Sequence, residues 1–108
     1  MKKIVIAAAV VLIIVCMAVA VFAQKSAGNS YGETKFKQMC AVCHPGGGNI
    51  VNPKKTLHKK DREANNIKTV KDIMRLVRKP GPGMTIFNEQ SLSDKDAKAI
   101  AKYVIATF

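Results

Sequence analysis

The sequence predicts an all-α domain of about three to four helices, and three observations predict it. Apolar residues recur at three- and four-residue spacing in separate segments, which is the period of a half-buried helix. Ser30, Thr69 and Ser93 each stand three positions before an acid (Glu33, Asp72 and Asp96), the capping-box pattern that opens a helix. Gly/Pro-rich stretches separate these segments, and neither an internal repeat nor a β-type alternation occurs.

The N-terminus is read apart from the domain. Met1-Lys2-Lys3 is a short positive start, and Ile4 to Phe22 is an almost unbroken apolar run. Val21-Phe22-Ala23 resembles a cleavage site, and polar Gln24 follows it. Residues 1–23 therefore predict an export signal, and 24–108 the functional domain. The alternative is an uncleaved membrane anchor, because a span needs about twenty apolar residues. Cys16 lies inside this run. Lipid attachment there is disfavoured, since bulky Val15 stands where a small residue is preferred.

Residues 24–108 make 85 residues, and with Lys2 and Lys3 gone the basic count falls from 18 to 16 against seven acids, a formal charge of +9. A chain this short has a thin core, and without a further staple it is expected to be largely unfolded.

Within this domain, Ser30-Tyr31-Gly32-Glu33 is expected to cap a first helix that turns Phe36, Met39 and Cys40 inward. Residues 45–53 form a turn-rich loop with Ile50 and Val51 as its apolar anchors, and Leu57 to Ala64 reads as a short helical turn. Thr69 caps a helix that places Val70, Ile73, Met74 and Val77 on one face and stops before Lys79-Pro80. Pro80-Gly81-Pro82-Gly83 is not helix and presents Met84. Ser93 opens the last helix, with Ala97, Ile100, Ala101, Val104, Ile105 and Phe108 on one face and Lys95, Lys98 and Lys102 on the other.

The chemistry is concentrated in Cys40-Ala41-Val42-Cys43-His44, a C-x-x-C-H motif. Two thiols at this spacing add to the two vinyl groups of a porphyrin, and the adjacent histidine reaches the iron. A redox dithiol or half of a zinc site shares the C-x-x-C spacing. A zinc site would need a second ligand pair, however, and the only other histidine is His58. The cofactor indicated is one covalent haem c. In bacteria its attachment normally follows export, so the expected location is the periplasm.

The chain resembles the class I c-type cytochromes. Gly32, Phe36, Cys40, Cys43 and His44 match the pattern G-x-x-x-F-x-x-x-C-x-x-C-H. Asn52-Pro53-Lys54-Lys55-Thr56-Leu57 is similar to the loop after the haem motif in small photosynthetic-chain members. Gly83-Met84-x-x-Phe87 resembles the methionine-ligand loop. Leu92-Ser93-Asp94 with Ile100, Tyr103 and Val104 resembles the C-terminal helix. The resemblance spans nearly all of 24–108 and is nearest to the soluble cytochromes of photosynthetic chains and their bacterial relatives. It implies a class I cytochrome c-like bundle in which the first and last helices cross, with Gly32 admitting the Phe36 and Tyr103 rings. It also implies that the Pro53 carbonyl accepts a bond from the His44 ring.

The second axial ligand is expected to be Met84. Met39 sits beside the first haem cysteine and has no reach to the far face, and Met74 lies in an apolar helical stripe where methionine usually fills core. His58, in a Lys-rich stretch, reads as a solvated side chain, with bis-histidine ligation the minor alternative. Thr85 departs from the family, which commonly has proline after this methionine.

With both axial positions filled, the iron exchanges single electrons and takes no substrate. The expected protein is therefore a diffusible monomeric carrier and not an enzyme. The alternative is a haem with a labile sixth ligand that binds or senses CO, NO or peroxide. The chain has no His and Arg placed for peroxidase work. Lys54, Lys55, Lys59, Lys60 and Arg62, with Lys68, Lys71, Arg75, Arg78 and Lys79, form a basic run suited to steering toward acidic redox partners or an anionic membrane surface. Export disfavours nucleic acid as partner, and membrane contact is transient unless residues 4–23 are retained.

Overall fold

A computed structural model describes the backbone of residues 1–108 and the side chains of 1–17 and 30–108. Four α-helices follow in order, α1 (Lys2–Met39), α2 (Lys59–Ala64), α3 (Val70–Arg78) and α4 (Asp94–Thr107), with a 3-10 turn at Pro45–Gly47 between the first two. Among the described residues there is no strand.

The expected cap at Ser30 does not form, because α1 runs straight through it. No proline stands between Met1 and His44, so nothing ends the helix upstream. The Ser30 carbonyl instead accepts a bond from the Thr34 hydroxyl at 2.9 Å. Glu33, expected to reach back to the cap, pairs forward with Lys37 at 2.6 Å. The expected cut at Val21-Phe22-Ala23 lies outside the described side chains. Among the described residues no helix is long and apolar enough to cross a membrane, and the run of 4–22 enters residues 18–29, which lie outside them.

The second and third caps follow the sequence more closely. The Thr69 side chain accepts from the Asp72 backbone, and Asp72 accepts from the Thr69 and Lys68 backbones at 2.9 and 3.0 Å. Those backbone donors, Lys68 first, hold the Asp72 carboxyl down at about 2. Ser93 accepts from the Asp96 backbone at 3.1 Å, but the Asp96 carboxylate does not return to it. It crosses to α1, taking the Tyr31 hydroxyl at 2.5 Å and Lys35 at 3.3 Å. The Tyr31 bond, with Lys35 adding to it, holds the Asp96 carboxyl below its usual range.

The core lies where α1, α3 and α4 meet. Phe36 from α1, Ile73 and Val77 from α3, and Ala97, Ile100, Ala101 and Val104 from α4 are buried, with Leu92 closing one end. Val70 and Met74 pack half-buried against this core, and Lys95, Lys98 and Lys102 are exposed, as the periodicity requires. Gly32 sits at the crossing of α1 and α4. A Cβ there would drive into the Ala99 carbonyl oxygen and meet the Tyr103 Cβ at 3.0 Å. One turn on, Phe36 packs between Tyr103 and Phe108, with ring centroids at 5.4 and 5.5 Å.

This contact predicts that Gly32→Ala destabilises the haem-loaded protein by roughly 1–3 kcal/mol, the cost of overpacking a backbone-to-backbone contact. Denaturant unfolding of the two proteins would show it. An unchanged midpoint would mean that α1 and α4 part without cost.

Candidate haem site

The C-x-x-C-H motif is a continuation of α1. Cys40 is the C-cap, its N–H bonded to the Phe36 carbonyl, and the chain then closes on itself. The Cys43 and His44 N–H groups both donate to the Cys40 carbonyl, at 3.2 and 2.9 Å. This tight turn presents two thiols and an imidazole from one short segment. Cys40 is half-buried and Cys43 exposed, and neither is in a disulfide. Burial, with the nearby Cys43 adding to it, pushes the Cys40 thiol up to about 11, so as a free thiol it stays neutral against its apolar wall. Among the described residues no group of three or more His, Cys, Asp and Glu converges as a site for a bare metal ion.

His44 is 9% exposed, and its Nδ1 lies 2.7 Å from the Gly48 carbonyl oxygen. A carbonyl only accepts, so Nδ1 carries the proton and donates it. The neutral ring then keeps a lone pair on Nε2, the form in which an imidazole ligates iron. The expected acceptor was the Pro53 carbonyl. Here the partner is Gly48, because the 3-10 turn Pro45–Gly47 folds the chain back and brings the fourth residue after the histidine under the ring.

Two cavities meet at this motif. One encloses about 620 Å³ of empty space, open solvent included, between the Cys40–His44 turn, Val51 and the Pro82–Thr85 loop. The other, about 790 Å³ on the same measure, runs inward from the motif to Ile73, Val77, Ile100 and Val104. Cys40, His44, Asn49 and Met84 line both. The lining, largely apolar with a few polar groups at the motif, suits a cofactor with an apolar body.

Met84 thus stands on the same crevice as His44. Its loop begins at Gly83, whose φ of 88° is open to glycine and strained for other residues. Arg78 fastens the far side of the loop. Its Nη1 donates to the Phe87 and Leu92 carbonyls at 2.9 and 2.8 Å, and its Nη2 pairs with Asp94 at 2.6 Å. The Phe87 N–H adds a bond to the Val77 carbonyl at 2.9 Å. The other candidate ligands are placed elsewhere. Met74 packs on the core, and His58 is exposed at the start of α2, edge-on to Phe108 at 5.9 Å. Met39 lines the outer cavity beside Cys40.

Two residues carry more of the site than the sequence suggested. Ile50 and Val51, read as loop anchors, are 63% and 58% exposed. The anchor is polar Asn49. Its side chain donates to the Lys55 carbonyl at 2.8 Å and accepts from the Val51 and Asn52 backbones at 3.0 and 2.9 Å. The Asx pattern was the available signal. Arg62, grouped with the exposed basic run, is only 4% exposed and lines the inner cavity. It is the fourth residue of a short helix, and its side chain turns inward to donate Nε to the Leu57 carbonyl at 2.7 Å.

Thiols and imidazole turned into an apolar crevice meet the needs of a covalently held tetrapyrrole, and the crossed helical frame around them is that of a c-type cytochrome. Residues 28–104 match the family described as cytochrome c oxidase, cbb3-type, subunit III. Cytochrome c6 of Cyanidium caldarium is 41% identical over 81 residues, which are 75% of this chain and 72% of that one. The solved structure of OmcF, an outer membrane cytochrome of Geobacter sulfurreducens, is 49% identical, with a TM-score of 0.70 over 71% of this chain and 98% of its own. Cytochrome c6A from Arabidopsis thaliana is 31% identical, with a TM-score of 0.69 over 73% and 88%. The chain belongs to this family, as a cytochrome c6-like class I c-type cytochrome: an electron carrier with one covalently bound haem c.

The role of Arg78 makes a prediction about the Met84 loop. Arg78→Ala removes three charge-assisted contacts and leaves two carbonyls unpaired, a loss of roughly 2 kcal/mol or more. Amide hydrogen exchange across residues 83–92 should accelerate by at least tenfold, while α4 beyond Ala97 keeps its protection. Unaltered exchange in the loop would show that Phe87 and Leu92 hold it unaided.

Proposed function

We propose that this protein is an exported one-electron carrier whose haem iron is held axially by His44 and Met84, with Cys40 and Cys43 as the thioether anchors. The observation that carries this reading is that Met84 and His44 line both cavities together. The haem, when bound, supplies an iron that alternates between ferrous and ferric states. The chain supplies everything else. The Gly48 carbonyl fixes the tautomer and orientation of His44. The Met84 thioether, a soft donor, favours the ferrous state and raises the potential above that of a bis-histidine haem. His44 and Met84 would hold the iron when haem is bound, and would then leave substrate no place on it.

The surface suits a carrier. Lys54, Lys55, Lys59, Lys60, Lys68, Lys71, Arg75 and Lys79 are all exposed, on the loop and short helices that wall the inner cavity. Charge of one sign speeds encounter with an acidic partner and makes that encounter sensitive to salt. Val42 and Val51, exposed at the mouth of the outer cavity, offer an apolar point of contact beside the haem. The working form is the monomeric 24–108 domain, freed in the periplasm by removal of residues 1–23.

The oxidised holoprotein should show the weak far-red charge-transfer band of methionine sulfur on ferric haem, and Met84→Ala should abolish it. The same variant should bind CO promptly when reduced, where the wild type does not. An intact protein without the band, or one that binds CO at once, would overturn Met84 as ligand and bring the sensing alternative forward. The mass of the protein from its native host should match residues 24–108 plus one haem. A mass retaining residues 4–23 would make it a tethered carrier instead.

A further inference from the structure

The outer face of α4 carries a row of lysines with nothing to balance them. Ala97, Ile100, Ala101 and Val104 turn to the core, so Lys95, Lys98 and Lys102, spaced by three and four, share the opposite face and are exposed. They span about 10 Å of rigid helix. Among the described residues none of the three pairs with an acid. The two acids of α4 are taken elsewhere, Asp94 by Arg78 at 2.6 Å and Asp96 by Tyr31 and Lys35 at 2.5 and 3.3 Å. The basic run along α2 and α3 differs, because acids are interspersed with its cations. Glu63 pairs with Lys59 at 3.9 Å and Asp72 with Arg75 at 3.0 Å. Tyr31 stands exposed beside the start of the row, with the Lys95 and Lys35 Nζ atoms 5.4 and 5.7 Å from its ring centroid.

A face of this make-up fits one kind of surface better than others. Protein partners are gripped by Arg and aromatic anchors in dry pockets, where lysine is depleted. Beside the three lysines only Ala99 and Ala106 lie on this side of the helix, and neither offers an anchor. Ammonium groups are compact point charges on flexible stems and suit a diffuse sheet of phosphates. A tyrosine, with its apolar ring and polar tip, is a residue of the membrane–water interface. We propose that the Lys95–Lys98–Lys102 face of α4, with Tyr31 at its end, seats the protein on an anionic phospholipid surface. This seat is separate from the electron-transfer contact. Ile100 and Val104, on the opposite face of α4, line the inner cavity, and no α4 residue lines the outer one. A bilayer beneath α4 therefore leaves Val42 and Val51, at the mouth of the outer cavity, free for a redox partner. A carrier seated in this way searches for that partner along a surface instead of through a volume.

The test uses the haem-loaded protein as its host exports it, with vesicles of equal parts phosphatidylglycerol and phosphatidylcholine. Lysines are acetylated by a water-soluble reagent with and without vesicles, and the modified positions are read by mass spectrometry. Vesicles should protect Lys95, Lys98 and Lys102 and leave Lys68, Lys71 and Lys79 as reactive as before. Protection of the second group as well, or of neither, would overturn the proposal. A variant carrying Lys95→Gln, Lys98→Gln and Lys102→Gln should bind these vesicles on the order of a hundredfold more weakly, and one carrying Lys68→Gln, Lys71→Gln and Lys79→Gln less than about tenfold. Both lose the same charge, so equal weakening would mean that net charge alone draws the protein to lipid, and would sink the proposal. A wild type that ignores the vesicles and binds polyglutamate through the same three lysines would overturn it too, with an acidic protein as the occupant. The acetylation pattern needs no variant and reads the same faces whether or not residues 4–23 are retained. A protein that keeps those residues, or lacks the far-red band, thus fails the carrier reading while the seat on α4 is decided separately.

Discussion

Where α1 crosses α4, the Ala99 carbonyl rests against the Cα of Gly32, and the position of the haem-binding turn follows from that contact. Cys40 lies eight residues along the same helix, about 12 Å of rigid rise from the crossing. The Tyr31–Asp96–Lys35 bonds on one side of the crossing and the Phe36, Tyr103 and Phe108 rings on the other prevent α1 from rolling about its axis. A rotation of one residue would swing the Cys40 thiol away from the crevice. The identity of residue 32 thus governs chemistry at residue 40, through a backbone contact that any side chain would push apart.

The two sides of the crevice are held in different ways. His44 belongs to a closed helical turn with local bonds, and its ring is fixed by a carbonyl four residues away. Met84 sits on a loop that has few bonds of its own and is held from outside, by Arg78 at the end of α3 and by Phe87 reaching back to Val77. Thr85 stands in that loop where relatives of this class commonly carry proline, so Arg78 supplies from outside the restraint that a ring would supply from within. A frame of this kind suits a centre that changes charge without changing shape, because the groups lining the crevice are held on both sides and need not move.

Much of this was legible in the sequence, since the decisive signals are local. The C-x-x-C-H turn, the Thr69 cap, the stripe on α4 and the glycine that presents Met84 all depend on residues within one or two turns of each other. The readings that changed depend on contacts between distant segments. Ser30 looked like a cap because its own neighbourhood fits one; the helix arriving from residues 2–29 overrides it. Asp96 looked like a capping acid and instead serves α1. Pro53 gave way to Gly48 because a 3-10 turn shortens the path back to the ring. Arg62 sits among lysines in the sequence but points opposite to them, and a six-residue helix is too short for its periodicity to show this.

The last of these changes how the basic charge of the protein is understood. Charges on the surface and in the interior act on different quantities, although composition counts them alike. The exposed lysines act across water, are screened within about a Debye length, and set how fast a partner arrives. Arg62 lies in a medium of low effective dielectric, where salt does not reach, and its Nε holds the Leu57 carbonyl at the wall of the inner cavity. A carrier benefits from keeping the two apart. Its surface is then free to suit its partners without shifting the potential, and its interior holds the potential steady as ionic strength varies. One arginine turned inward from a basic face shows that separation, its desolvation offset in part by the Leu57 carbonyl.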